Sequence, residues 1–177
     1  MTNKDFDAFV ARQMPKKESK VDWTKQREEW LGYLSNFYQQ VEEFLDDYVK
    51  NGHISINSGV KSIIEEGIGE YEVKTATIKI GTSEIKLEPI GTNVIGAKGR
   101  VDMNGSNGTV RFVLVDQDAS EPKISVQIWA EGEKPQQPAK LKEVKLAWKI
   151  STPPPYIKYM ELNSESFRES IMAVANG

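Results

Sequence analysis

Apolar residues along this chain change their period twice, and each change marks a different kind of element. Over residues 22–50, Trp30, Leu34, Phe37, Val41, Phe44 or Leu45, and Tyr48 recur every three or four positions. That spacing puts them on one stripe of a long helix. Asp22 is placed to cap its N-terminus, and Asn51-Gly52 to stop it. The stripe is mostly aromatic, so the helix needs a broad apolar surface to lie on. A curved sheet is the natural partner.

Upstream, Phe6, Phe9, Val10 and Met14 predict a short amphipathic helix over 4–14, ended by Pro15. The polar stretch 15–20 reads as a linker. Residues 1–20 therefore form an arm, and 21–177 one domain. Downstream of Gly52, His53 to Ile56 reads as a brief extended piece. Asn57 or Ser58 then caps a predicted short helix through Val60, Ile63 and Ile64, closed by Gly67 and Gly69.

From Tyr71 the period falls to two. Ala76, Ile78 and Ile80 predict one strand, and Ile85 and Leu87 the next. Residues 93–103 predict a longer strand bulged at Gly96 and Gly99. Asn104 to Gly108 is a hairpin turn, followed by Val110, Phe112 and Leu114. Ile124, Val126 and Ile128 predict another strand, 131–141 an exposed loop, and Val144, Leu146, Trp148 and Ile150 a clean alternating strand. Pro153-Pro154-Pro155 redirects the chain. A last short strand over 156–160 and a helix from Asn163 or Ser164, with Phe167, Ile171 and Val174 inward, complete it. Sequential strands joined by short turns pair antiparallel. The predicted fold is α+β: an antiparallel meander of six to seven strands, packed against a long N-terminal helix and a short C-terminal one. In element order alone, a meander ending in a helix resembles pleckstrin-like barrels.

Composition narrows the chemistry. The 177 residues are enough for one domain with a real core. No cysteine is present and only one histidine, His53, so a thiolate metal site is excluded and any serine–histidine triad would have to use His53. No Gly-x-Ser-x-Gly elbow or phosphate loop occurs. No leader is expected from the mixed polar start, and no apolar run is long enough to span a bilayer. The expected address is the cytoplasm.

Net charge is −3, which makes nucleic acid an unexpected partner. The charge is uneven: residues 22–50 hold three basic side chains against seven acidic ones. Glu42, Glu43, Asp46 and Asp47 fall opposite the aromatic stripe, as a solvated face or as a docking face for a basic partner.

Two further groupings carry candidate chemistry. Alternation puts Trp129 on the face of its strand away from Ile124, Val126 and Ile128. The same side carries Val113 and Val115 on the strand before, and Lys145 and Lys149 on the strand after. Either a helix (22–50 or 164–175) covers this second face, or Trp129 and the lysines form an exposed contact surface. Separately, Asp102 and Asp116 sit on successive strands, with Glu65 or Glu66 on the preceding predicted helix able to add a third carboxylate for a divalent cation. The paired acids resemble the arrangement in restriction-type nucleases. Those enzymes carry lysine two residues after the second acid, where this chain has Asp118.

The sequence therefore reads first as a non-enzymatic domain that binds another protein, with a homodimer through the aromatic helix as a further possibility. No cofactor is expected. Two rivals stand beside it. A small-molecule or lipid carrier requires an apolar pocket between the 22–50 helix and the sheet. A metal-dependent hydrolase requires Asp102, Asp116 and Glu65 to converge.

Overall fold

The structure is a computed structural model that describes residues 6–7, 9–10, 21–123 and 143–175. The predicted strand at 124–128, Trp129, the loop 131–141 and most of the 1–20 arm lie outside the described residues. Of the arm, residues 6, 7, 9 and 10 are helical.

Among the described residues, helix α1 runs Trp23–Lys50 and is followed by seven strands. These are β1 (Ile54–Glu65), β2 (Gly69–Ile80), β3 (Ser83–Gly91), β4 (Gly99–Gly105), β5 (Gly108–Asp116), β6 (Leu146–Ser151) and β7 (Tyr159–Glu161). Helix α2, Ser164–Ala175, ends the described chain. Every strand pairs antiparallel with the next, so spatial order equals chain order and β1 and β7 are the two edges. The fold is the expected α+β meander.

Both helices lie on one face of the sheet. Asp22 caps α1 by accepting from the Lys25 amide at 3.0 Å. The buried stripe is Trp30, Leu34, Phe37, Tyr38, Val41 and Leu45. Phe37 is its centre, with ring centroids 5.3 Å from Phe112 and 4.9 Å from Trp148. The Trp148 indole donates to the Tyr33 carbonyl at 3.0 Å, fixing β6 to α1. Phe167 of α2 meets Phe112 at 5.7 Å and Phe44 at 5.6 Å, and the Arg168 guanidinium donates to the Phe44 carbonyl. At the far end of α2, the turn between β4 and β5 supplies the missing helix cap. The Asn107 amide donates to the Val174 carbonyl, the Asn107 side chain to Ala173 and the Ser106 hydroxyl to Ala175.

The structure corrects three expectations. Residues 57–66 are not a helix; they are the body of β1, a 12-residue strand paired along its length with β2. Gly67 and Gly69, both at positive φ, turn that hairpin rather than end a helix. The cause of the misreading lies in the twist of the ribbon. Ile54 and Ile56 point to the core with even numbering, yet Ile63 and Glu65 are buried with odd numbering. On β2 the change runs from Tyr71 and Val73 to Ala76 and Ile78. The register stays continuous throughout. A two-stranded ribbon twists more than a full sheet, so its far half turns its other face to α1.

The second correction is at 92–98. These residues form a loop closed by an isolated bridge between Val94 and Ala97, and β4 begins only at Gly99. Gly96 sits at φ +79 in that loop rather than in a strand bulge. Gly99 is needed because the Trp30 ring lies where its side chain would go.

The third concerns the second face. Neither helix covers it, since α1 and α2 both pack on the face that carries Phe112 and Trp148. The chain after β5 crosses the second face instead. The Tyr159 amide donates to the Ser120 carbonyl at 2.9 Å, which carries the segment over β6 to β7.

Candidate interaction surfaces

Residues proposed for metal chemistry are spread over separate places. Glu65 is buried at the tip of the β1–β2 hairpin. Its carboxylate accepts from the Tyr71 hydroxyl, from the Thr92 amide at 2.6 Å and hydroxyl at 3.0 Å, and from the Asn93 amide at 2.8 Å. It ties the hairpin tip to the loop after β3, and Gly91 (φ +132) leaves the room it occupies. Burial, reinforced by the Glu65 bond, pushes the Tyr71 phenol above its ordinary range.

Asp102 lies on the second face, held by Arg100 through two contacts of 2.6 Å. That hydrogen bonding raises the Arg100 guanidinium further. Asp102 stands opposite Arg111 on β5, while Asp116 is five residues along at the strand's end. At about 3.3 Å per residue the two acids are on the order of 16 Å apart. Asp116 accepts from the Asp118 amide, a turn contact. Among the described residues no group of three His, Asp or Glu side chains is placed to hold a metal ion.

Lys149 and Lys145 also separate. Lys145 is exposed ahead of β6, its carbonyl accepting from the Gln117 amide. Lys149 is buried, its side chain 5% exposed. Its ammonium donates to the Ala119 carbonyl at 2.9 Å and pairs with Glu161 at 3.0 Å. It pins the crossing segment to β6 and is no surface anchor.

The acidic residues of α1 are where their spacing put them. Glu42, Glu43, Asp46 and Asp47 are exposed, as are Glu28 and Glu29 nearer the start. Three have a lysine nearby: Lys25 is 3.9 Å from Glu29, Lys74 3.5 Å from Glu42 and Lys50 2.5 Å from Asp46. Glu43 accepts from Gln39 at 3.1 Å. Among the described residues Glu28, Glu43 and Asp47 have no basic partner within 4 Å. These acids form two groups on one face, Glu28 with Glu29 and Glu42 to Asp47, about 20 Å apart at 1.5 Å per residue. Beside this face runs a groove of about 650 Å³ between α1 and β6–β7. Glu29, Asn36 and Gln40 form its rim, and Leu146, Trp148 and Leu162 its floor.

The centre of the α1–sheet interface is filled by Phe37, Phe112 and Trp148 rather than by a cavity. A second cleft, of about 460 Å³, lies at the N-terminal end of α1 between Lys25, Tyr33, Lys98 and Leu114.

One surface escaped the sequence reading altogether. β1 is an edge strand, and Val60 and Ile64 on it are 68% and 78% exposed. The helix-like spacing of Val60, Ile63 and Ile64 conceals this edge in the sequence. The β-branched content of the segment and the Gly67-Ile68-Gly69 turn were the signals for a strand.

Comparison with protein-family models, curated proteins and solved structures returns no match to this chain.

Proposed function

We propose that this chain is a non-enzymatic protein-binding domain, and that the solvent face of α1 receives a basic segment of its partner. The observation that carries this reading is the exposed acidic face of α1, densest at Glu42, Glu43, Asp46 and Asp47, on a helix whose opposite stripe is locked in the core. A rigid helix presents its charges at fixed spacing and loses little freedom when it binds. The lysine contacts on this face are exposed ion pairs, which contribute little and exchange readily for a partner's cations. The neighbouring groove adds an apolar floor under a polar rim, so the same partner segment gains burial beside the charged face.

Binding is favoured over catalysis because the ionisable groups best placed for chemistry are committed to structural bonds. Glu65 serves four donors, Asp102 its arginine, and Lys149 a carbonyl and a carboxylate.

The test is capture of the full chain's partners from an extract of its native cells, repeated over rising salt. A stoichiometric protein whose recovery falls steeply with ionic strength supports the reading. Turnover of a substrate by the purified chain, or a partner whose recovery is indifferent to salt, overturns it.

A further inference from the structure

The two edges of the sheet differ in how they are protected. Edge strands are ready templates for another strand, and proteins blunt them by shortness, proline or charge. β7 is three residues long and follows the Pro153–Pro155 segment. β1 is 12 residues long and contains no proline. Among the described residues no strand pairs with its outer side.

The side chains of β1 add a second observation. From Ile56 to Ile64 its even-numbered positions read Ile56, Ser58, Val60, Ser62 and Ile64, which is the same sequence in both directions about Val60; the buried Ile54 lies beyond this stretch. The exposed members of this set are uncharged, whereas the neighbouring β2 presents Glu70, Glu72 and Lys74 to solvent. The two charges of β1, Lys61 and Glu65, are on the odd set. Lys61 points to the Pro89 carbonyl at 3.5 Å and Glu65 is buried.

We infer that β1 is a self-association edge, pairing antiparallel with β1 of a second copy about a two-fold axis at Val60. Directly opposite residues in an antiparallel pair share a face. In this register Val60 meets its own mate, each Ser58 meets a Ser62, and each Ile56 meets an Ile64. On the odd face Lys61 meets Gly59, Ile63 meets Asn57, and Glu65 meets Ser55. Apolar meets apolar on the even face, and nowhere do like charges stand opposite each other. A two-fold contact needs a self-complementary patch, and the palindrome supplies it. A partner chosen by charge finds nothing on this edge to grip. The paired edges join two seven-stranded sheets into one, and cover Val60 and Ile64. This contact is separate from the acidic face of α1 and stands without it.

The absence of cysteine makes the test direct. The full chain is predicted to sediment as a dimer. Val60→Cys places two thiols on the axis, with Cα atoms about 4.5–5.5 Å apart, and closes an intermolecular disulfide under mild oxidation. Ser62→Cys places its thiol four residues from its own mate, about 13 Å away, and does not. Val60→Lys sets two ammonium groups opposite each other and weakens the dimer by about tenfold or more. Val60 is exposed, so circular dichroism should show these variants folded. A chain that stays monomeric at high concentration, a Val60→Lys protein that remains as dimeric as the parent, or a Ser62→Cys crosslink as efficient as Val60→Cys would each overturn the inference.

Discussion

The Tyr71 hydroxyl donates to the Glu65 carboxylate inside the tip of the β1–β2 hairpin, with the Thr92 and Asn93 amides on the carboxylate's other oxygen. A single buried acid therefore ties the hairpin tip to the loop after β3, which lies 27 residues further along the chain. Glu65→Ala leaves those donors without an acceptor. Each buried, unsatisfied donor costs about 1–3 kcal/mol, so the variant is expected to lose about 3 kcal/mol after partial rehydration. Chemical denaturation reads this directly. A loss within the scatter of a surface substitution would show that the carboxylate is not a structural tie.

Two tyrosines make stability fall in alkali. Burial raises the phenol of Tyr71, with help from Glu65, and burial also raises that of Tyr38, with help from Glu88. A group whose folded pKa lies above its unfolded value of about 10 stabilises fully below that value, and the contribution fades as pH climbs past it. Unfolding free energy should be flat in this respect at neutral pH and decline above pH of about 10. A phenolate absorbance titration should show Tyr38 and Tyr71 ionising together with loss of the native fold. Ionisation of both in an intact fold would contradict the assignment.

Phe37 fills the space a carrier would leave open. Its ring lies against Phe112 and Trp148 and is fully buried. Phe37→Ala is expected to cost about 3–5 kcal/mol, the usual range for truncating a packed aromatic. A denaturation midpoint close to the parent's would mean that the interface is loosely filled, as a ligand pocket requires.

The sequence revealed α1 because period and composition agreed there. Six aromatic or aliphatic residues at helical spacing, a capping Asp22 and a stop at Asn51-Gly52 all point to one element. It revealed α2, the second half of β2 from Ala76, and strands β3, β5 and β6 for the same reason. It concealed β1 because the ribbon twist moves burial from even to odd positions partway along the strand. Val60, Ile63 and Ile64 then mimic a helical stripe, although Val60 and Ile64 face solvent and only Ile63 is buried. The loop at 92–98 has a strand-like sequence because Val94 and Ile95 are apolar, yet Ile95 is almost wholly exposed. Of the candidate sites, the acidic face was legible because charge on a helix face depends only on local spacing. The engagement of Glu65 and Lys149 was not, because each is decided by backbone groups, at Thr92, Asn93 and Ala119, brought in by tertiary structure.

The measurement that bears most directly on the protein-binding reading compares the parent chain with a variant in which Glu42, Glu43, Asp46 and Asp47 are replaced by Gln or Asn. All four are exposed, so the two proteins should unfold at similar denaturant concentrations. Each is used as bait under identical low-salt conditions, and the captured protein is quantified. The account predicts a stoichiometric partner on the parent chain and its loss, by about tenfold or more, on the neutralised one. Equal recovery on both baits would contradict the account and move the contact away from α1.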